Sequence, residues 1–283
     1  MTGGNVGLGF ASCEALASRG AHVFLGCRRA KSGEDAVRRI RERSPDARVE
    51  VLPLDLVDSA SIAAFSAAVV ARVDRIDVLM NNAGVVNHPS LVHTQDGHEL
   101  QMATNHFGHF ALTGRLYPKI VATLGARVVT LSSAGSRGGE IRFDDLDWRK
   151  REYSRVRAYG DSKLANLHFT RSLEQRFRKT DTSAISIAAH PGLTGTERQQ
   201  SIGIGGFVTR WFASPVSDGV RSQLFGATAS GVVGGDYFVP RYGLRGEPKN
   251  VRGEIDALDD AIGERLWQVS EDVTGVTYDA KPA

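Results

Sequence analysis

Cysteine is almost absent: Cys13 and Cys27 are the two in 283 residues. Two unclustered thiols build neither a secreted disulfide scaffold nor a thiolate metal site, so a reducing compartment is expected. Charge of one sign is missing too, since 35 Lys and Arg against 32 Asp and Glu leave a net +3. That balance excludes a polyelectrolyte function, and no nucleic-acid partner is expected. No apolar run approaches the roughly 18 residues of a membrane span, and the N-terminus lacks the basic, apolar and small-residue succession of a signal peptide. There is no repeat, no Pro-rich linker and no block of like charge. A cytoplasmic chain is expected, without a membrane segment, with residues 1–283 forming one domain. At 41% hydrophobic and 24% charged residues the composition is that of a globule able to bury a core. Only glycine is in excess, 31 residues or about 11%, against a usual value of about 7%.

Short runs rich in Val, Ile and Leu recur at 21–27, 48–54, 77–82, 127–133, 184–190 and 236–240. Runs of this kind read as buried parallel strands. Helical patterns lie between them, at about 7–19, 31–43, 59–73, 96–122, 157–179 and 217–229, with a last one at about 256–270. Such alternation predicts an α/β fold with a doubly wound parallel sheet, whose ligands bind at the carboxyl ends of the strands.

The chain opens Thr2, Gly3, Gly4, Asn5, Val6, Gly7, Leu8, Gly9, before a helical pattern carrying Ala11, Ala15, Leu16 and Ala17. Glycines let the backbone approach a phosphate, and a helix N-terminus behind them offers unpaired N–H groups and a positive dipole end. The guest these features imply is a pyrophosphate. The segment resembles the T-G-x-x-x-G-x-G cofactor loop of the short-chain dehydrogenase/reductase family, and the resemblance extends from Thr2 to about residue 240. It implies a Rossmann-like domain that holds a dinucleotide with Gly3, Asn5, Gly7, Leu8 and Gly9. One departure is large. The family has a buried central strand ahead of this loop, where this sequence has only Met1. Two neighbouring strands would then carry unpaired edges in mid-sheet. The first β-strand is therefore expected to be missing, and the natural chain to begin upstream.

Dinucleotide folds that prefer NAD place an acid about 20 residues past the glycines, on the ribose 2′-OH. Here Gly26, Cys27, Arg28 and Arg29 occupy that place, and Arg28 offers a forked, permanent cation to a 2′-phosphate. NADP(H) is expected in preference to NAD(H). Asp55 and Leu56 are similar to the family's adenine-side Asp-Leu pair, and Asn81, Asn82, Ala83, Gly84 to its N-N-A-G element beside the adenine ribose. The resemblance implies cofactor contacts from Asp55, Leu56, Asn81, Ala83 and Gly84. Pro191, Gly192 and Thr196 are similar to its turn at the nicotinamide, with Thr196 on the carboxamide.

Tyr159 and Lys163 are four apart in a helical segment and so share a face. Ser132 and Ser133 end a strand at the ligand-binding edge. The family's catalytic serine falls there; Ser133 fits best and Ser132 is the runner-up. Asn105 matches the family's fourth catalytic member. Carbonyl reduction needs a hydride donor, a hydroxyl to steady the carbonyl oxygen and an acid for the forming alkoxide. Tyr159 is then the acid/base, Lys163 its electrostatic tuner and a holder of the cofactor ribose, Ser133 the donor to the substrate oxygen, and Asn105 a proton relay. His190, just before a turn, reads as structural. His106 and His109 have no further ligand at metal spacing, so no metal is expected.

Residues 134–158 make a longer connection than many family members have. Together with the following YGDSKLAN and the later GERLWQVSEDVTGVTY, they resemble the retinol-dehydrogenase-like and WW-domain-oxidoreductase-like branch. Within an expected lid at about 193–217, Ile204, Phe207, Val208, Trp211 and Phe212 form an apolar stripe. Two readings of it stay open: a lid over a lipophilic carbonyl or alcohol substrate, or a surface packed on the fold, on a second subunit or on a membrane. A homo-oligomer stays open with it. Leu258, Ile262, Leu266 and Val269 give the last helix an apolar face that suits a cover on the sheet. The competing function is a noncatalytic NADP(H)-binding sensor or scaffold, against which the joint presence of Asn105, Ser133, Tyr159 and Lys163 speaks.

Overall fold

The alternation read from the sequence is realised as a stack of helices on both faces of a mostly parallel sheet. The computed structural model describes residues 1–180, 182–192, 219–243 and 246–278. Parallel pairing links β1 (Val23–Cys27) with β2 (Val49–Pro53), and β3 (Val78–Asn81), β4 (Arg127–Leu131), β5 (Ile185–Ala189) and β6 (Tyr237–Pro240) in that order. A seventh strand, β7 (Pro248–Asn250), returns antiparallel beside β6. Its Pro-Lys-Asn sequence has no apolar pattern, so nothing local announces it. The run in β4 is continuous rather than alternating because both faces are covered: Val128, Val129 and Thr130 are fully buried.

Among the described residues the longer helices are α1 (Gly7–Ala17), α2 (Ala30–Arg43), α3 (Ser59–Val70), α4 (Gly108–Val121), α5 (Arg155–Lys179), α6 (Arg221–Thr228) and α7 (Asp260–Thr274). Their ends follow from capping chemistry. The Asp58 carboxylate accepts from the N–H groups of Ala60 and Ser61 at the start of α3, a cap of about 1 kcal/mol. Helix α5 ends on Arg176, Arg178 and Lys179, cations that suit its negative dipole end. The last helix starts later than its apolar pattern suggests because Asp259 accepts from Ala261 N–H at 2.7 Å and caps it there. Leu258 falls before that cap, next to a separate turn at Gly253–Asp256.

The pattern at 96–122 is not one helix. Glu99 accepts from Met102 N–H at 2.7 Å and caps a single turn, a π-helical stretch follows at Ala103–Phe107, and only then does α4 begin. A π-turn inserts one residue into the helical repeat and is frequent at functional sites. Asn105 sits within it.

Among the described residues no strand stands between β1 and β3, and the sheet runs as two separate ladders. Residues 1–3 stitch them together. Thr2 forms a parallel bridge with Gly26, Gly26 N–H donates to Met1 O at 2.9 Å, Gly3 N–H to Gly26 O at 2.8 Å, and Thr2 N–H to Met80 O at 3.1 Å. The α-amino group of Met1 donates to Phe24 O at 3.0 Å. The expected gap is therefore present but bridged at the end nearest the glycine loop.

The main core lies between the sheet and α3, α4, α5 and α7, where Phe110 meets Trp267 edge-on at 4.9 Å. A second core joins α1 and α2 to β1 and β2 and contains both free cysteines. Among the described residues no helix is long and apolar enough to cross a membrane. The carboxyl ends of the strands and the N-terminus of α1 converge on one cleft.

Candidate active site

That cleft has a volume of about 960 Å³ and runs from Arg28 and Arg29 at one end to Ser133, Tyr159 and His190 at the other. Fifteen of the expected residues line it: Gly3, Asn5, Gly7, Leu8, Gly9, Arg28, Asp55, Leu56, Ala83, Gly84, Ser133, Tyr159, Lys163, Pro191 and Gly192. Thr196 and the apolar stripe of the expected lid lie outside the described residues. Asn81 and Asn105 are described but line nothing.

At the nucleotide end the backbone is shaped for a close guest. Gly3 has a φ of +63°, and a Cβ at Gly9 would stand 2.2 Å from Gly3 O, so no side chain fits between loop and helix. Helix α1 has no side-chain cap and no acid in its first turn, leaving its N–H groups and positive dipole end open to an anion. Asn5 Nδ2 donates to Ser32 Oγ at 2.8 Å and ties the loop to α2. Arg28 and Arg29 are exposed at the mouth, and neither is ion-paired with a described acid. A glycine cradle, an uncapped helix start and unpaired guanidiniums fit a phosphorylated dinucleotide.

Beneath the loop, Thr2 does what no local pattern reveals. Its buried Oγ1 accepts from Asn82 N–H and Ala83 N–H, each at 2.9 Å, and lies 2.8 Å from His109 Nε2. His109 Nδ1 is 2.9 Å from Asn105 O. A carbonyl only accepts, so Nδ1 carries the proton and Nε2 receives one from the Thr2 hydroxyl. Burial holds the His109 pKa down at about 3, in keeping with a neutral ring. The glycine loop is thereby coupled to Asn105.

One expectation is corrected. Asn81 faces away from the cleft: its amide donates to Thr113 and Thr130 within the core. Successive strand residues point to opposite faces, and it is Asn82 that lines the cleft, its Nδ2 donating to Thr2 O at 2.8 Å. Asn105 has its side chain engaged on every side. Both its amide hydrogens are used, on Val85 O and Ser162 Oγ at 2.9 Å each, while its Oδ1 accepts from Val85 N–H at 2.7 Å. It anchors the chain after β3 to α5.

At the other end the residues expected to be catalytic come together. Ser133 follows β4 by two residues in extended conformation, and its hydroxyl stands beside the Tyr159 phenol. Ser132 is spent elsewhere, its Oγ donating to Lys163 O at 2.8 Å, which decides between the two serines. Burial pushes the Tyr159 phenol above its usual 10, and the Ser133 hydrogen bond draws it partly back. Lys163 Nζ lies 5.7 Å from the Tyr159 ring centre and donates to Leu131 O at 3.0 Å, beside Asn166 Nδ2 at 2.9 Å from the same carbonyl. Burial brings the Lys163 pKa down to about 8. A Cβ placed on Gly84 would stand 3.2 Å from Asn105 Oδ1 and 3.6 Å from Lys163 Nζ, so the two groups flank one point of the cleft wall. His190 Nδ1 accepts from Gly192 N–H and shapes the turn. Burial lowers its pKa to about 4.

Among the described residues no group of three or more His, Cys, Asp or Glu could hold a metal ion. Thr2, Asn82, His109, Ser162 and Asn166 complete the site without having been singled out from the sequence. Thr2 and Asn82 stood inside recognised motifs; the other three act across 50 or more residues or through a carbonyl, which local spacing does not reveal.

Comparison with known proteins places this arrangement. The model of the short chain dehydrogenase family matches residues 1–204. Retinol dehydrogenase 12 of Mus musculus is 36% identical over 284 residues, covering 99% of this chain and 86% of that protein. Human retinol dehydrogenase 13 is 38% identical over 206 residues, covering 73% of this chain and 61% of that protein. A crystal structure of a putative uncharacterized protein from Mycobacterium paratuberculosis superimposes with a TM-score of 0.80 at 36% identity, over 98% of this chain and 93% of its own.

Proposed function

The chain belongs to the short-chain dehydrogenase family, in its retinol-dehydrogenase-like branch, and is an oxidoreductase acting on alcohol or carbonyl groups; from that premise we propose that it is NADP(H)-dependent and acts on a lipophilic substrate. The observation that carries the reading is the convergence of Ser133, Tyr159 and Lys163 on one cleft, with Lys163 Nζ 5.7 Å from the Tyr159 ring centre.

NADP(H), when bound, supplies or takes up the hydride. The glycine loop and the start of α1 hold the pyrophosphate, Arg28 binds the 2′-phosphate, and Lys163 with the turn at Pro191 and Gly192 holds the nicotinamide ribose side. Thr196 is assigned to the carboxamide on its place in the sequence alone. Ser133 donates to the substrate oxygen. Tyr159 is a neutral phenol at pH 7, as its raised pKa requires, and so gives its proton to the alkoxide as charge develops. In the oxidative direction the Ser133 hydrogen bond and the Lys163 cation oppose the burial that disfavours a phenolate. Asn105 holds Val85 and Ser162, and through Ser162 Oγ, which donates to Tyr159 O at 2.7 Å, it steadies the acid itself.

Val85, Val86 and Leu100 also line the cleft and support an apolar substrate, with retinoid-like alcohols and aldehydes as the first class to test. Tyr159→Phe is expected to lower kcat by about 10²- to 10⁴-fold while NADPH titration gives the wild-type Kd. Turnover at the wild-type rate in that variant would reject the assignment.

A further inference from the structure

We propose that Asp161 and Arg151 are positioning residues: their buried ion pair clamps the connection after β4 onto α5 and sets the spacing of Ser133 and Tyr159. The inference rests on the reading of Tyr159 and Ser133 given above.

The two hydroxyls come from different elements, Ser133 from the cap of the turn that follows β4 and Tyr159 from the first turns of α5. Nothing in the covalent chain fixes their separation, because residues 134–158 intervene. Asp161 lies two residues beyond Tyr159 and two before Lys163, and is only 2% exposed. Its Oδ1 accepts from Glu140 N–H at 2.8 Å, and its Oδ2 from Arg151 Nη2 at 2.9 Å. One carboxylate thus grips the connection at both its beginning and its end.

Arg151 is itself held rigidly. Its guanidinium lies 3.6 Å over the Trp148 ring, and its Nε stands 3.4 Å from Asp145 Oδ2. Asp145 is buried as well, and its Oδ1 accepts from Arg149 N–H and Lys150 N–H. Asp145 and Asp161 are therefore joined through a single cation.

The grip leaves no slack where it meets the helix. A Cβ at Gly139 would stand 2.4 Å from Gly160 O, and one at Gly160 would stand 2.7 Å from Gly135 O. The short 3-10 turn that begins right after Ser133, Ala134–Gly138, therefore lies flat on the backbone of α5 beside Tyr159. With the carboxylate neutralised or removed, that turn is free to lift, and the Ser133 hydroxyl moves with it. Displacements of about 1 Å at a reacting group cost up to roughly 100-fold in rate.

Full-length protein carrying Asp161→Asn, Asp161→Ala or Arg151→Met is compared with wild type by steady-state kinetics, NADPH titration and thermal melting. The expected result is a fall in kcat of roughly 10- to 100-fold in Asp161→Ala and Arg151→Met, with Asp161→Asn between them and wild type because one oxygen still accepts from Glu140. NADPH Kd should stay within about twofold. Wild-type kcat in a folded Asp161→Ala or Arg151→Met protein overturns the proposal. So does a kcat that falls only in proportion to folded protein. Arg151 is the more exposed partner, its side chain 17% exposed against 4% for Asp161, so its variant decides the matter if Asp161→Ala does not fold. Wild-type turnover in Tyr159→Phe would sink the proposed function, whereas full turnover in the Asp161 and Arg151 variants beside an inactive Tyr159→Phe sinks this inference alone.

Discussion

The two ends of the cleft are built on opposite plans. At the catalytic end, Asn105, Ser132, Lys163 and His109 are buried and their polar groups are committed to named partners. At the nucleotide mouth, Arg28 and Arg29 stand exposed with no ion pair to a described acid, and the start of α1 is uncapped. The first end is organised before any ligand arrives, which is what transition-state stabilisation requires. The second is an arrangement of unmatched positive potential that an anion completes.

Acid should break the comparison most strongly. His109 behind the cleft and His106 in the core against Ser270 are buried, with pKa values held down to about 3, against about 6.5 unfolded. A depressed folded pKa means that the unfolded state binds more protons below pH 6.5. Stability is whole above that pH and is lost as pH falls toward 3. By pH 5 each ring removes about 2 kcal/mol. Urea midpoints are expected to fall steeply from pH 7 to 5, with smaller loss in a His106→Gln protein. An unchanged slope in that variant would argue against the buried ring as the cause.

Thr2 joins the two ends, and Thr2→Val should loosen both. Two backbone N–H groups and His109 Nε2 lose their partner in a buried place, costing about 2–4 kcal/mol. Melting should show a drop of roughly 8 °C together with weaker NADPH binding; a loss of one without the other would mean that the ends are not coupled through this hydroxyl.

The smallest expected effect is confined to the mouth. Arg28→Asp removes a cation that has no partner to strand, so the melting temperature should not move. The ratio of NADPH to NADH affinity should fall about 10- to 100-fold, the worth of a charge-assisted contact of about 1.5–3 kcal/mol. An unchanged ratio would reject NADP(H) recognition by Arg28.

Much of this site was legible because its signals are local. Gly3, Gly7 and Gly9 follow one another at the start of a helix, and Tyr159 and Lys163 repeat at helical spacing, so loop and helix face are written in adjacent residues. The same holds for the strand runs, whose Val and Ile content reflects burial on both faces. What failed to show was register. Asn81 and Asn82 differ by one step of a two-residue period, and one step exchanges cleft for core. The π-turn around Asn105 shifts a helical face without altering the apolar pattern that suggested one helix. The strand β7 exists only because β6 offers it an edge.

By itself the sequence determined the alternating α/β order, and it singled out a glycine loop and an Asn, Ser, Tyr and Lys set by motifs that are each written within a few residues. Only the tertiary structure decided that Ser132 is engaged on Lys163 O, that Asn105 is an anchor, that Thr2 reaches Asn105 through His109, and that Asp161 holds Arg151. Those choices turn on which side chains face one another across strands and helices far apart in the chain. Packing and hydrogen-bond satisfaction of buried groups settle them, and neither is encoded at any fixed spacing.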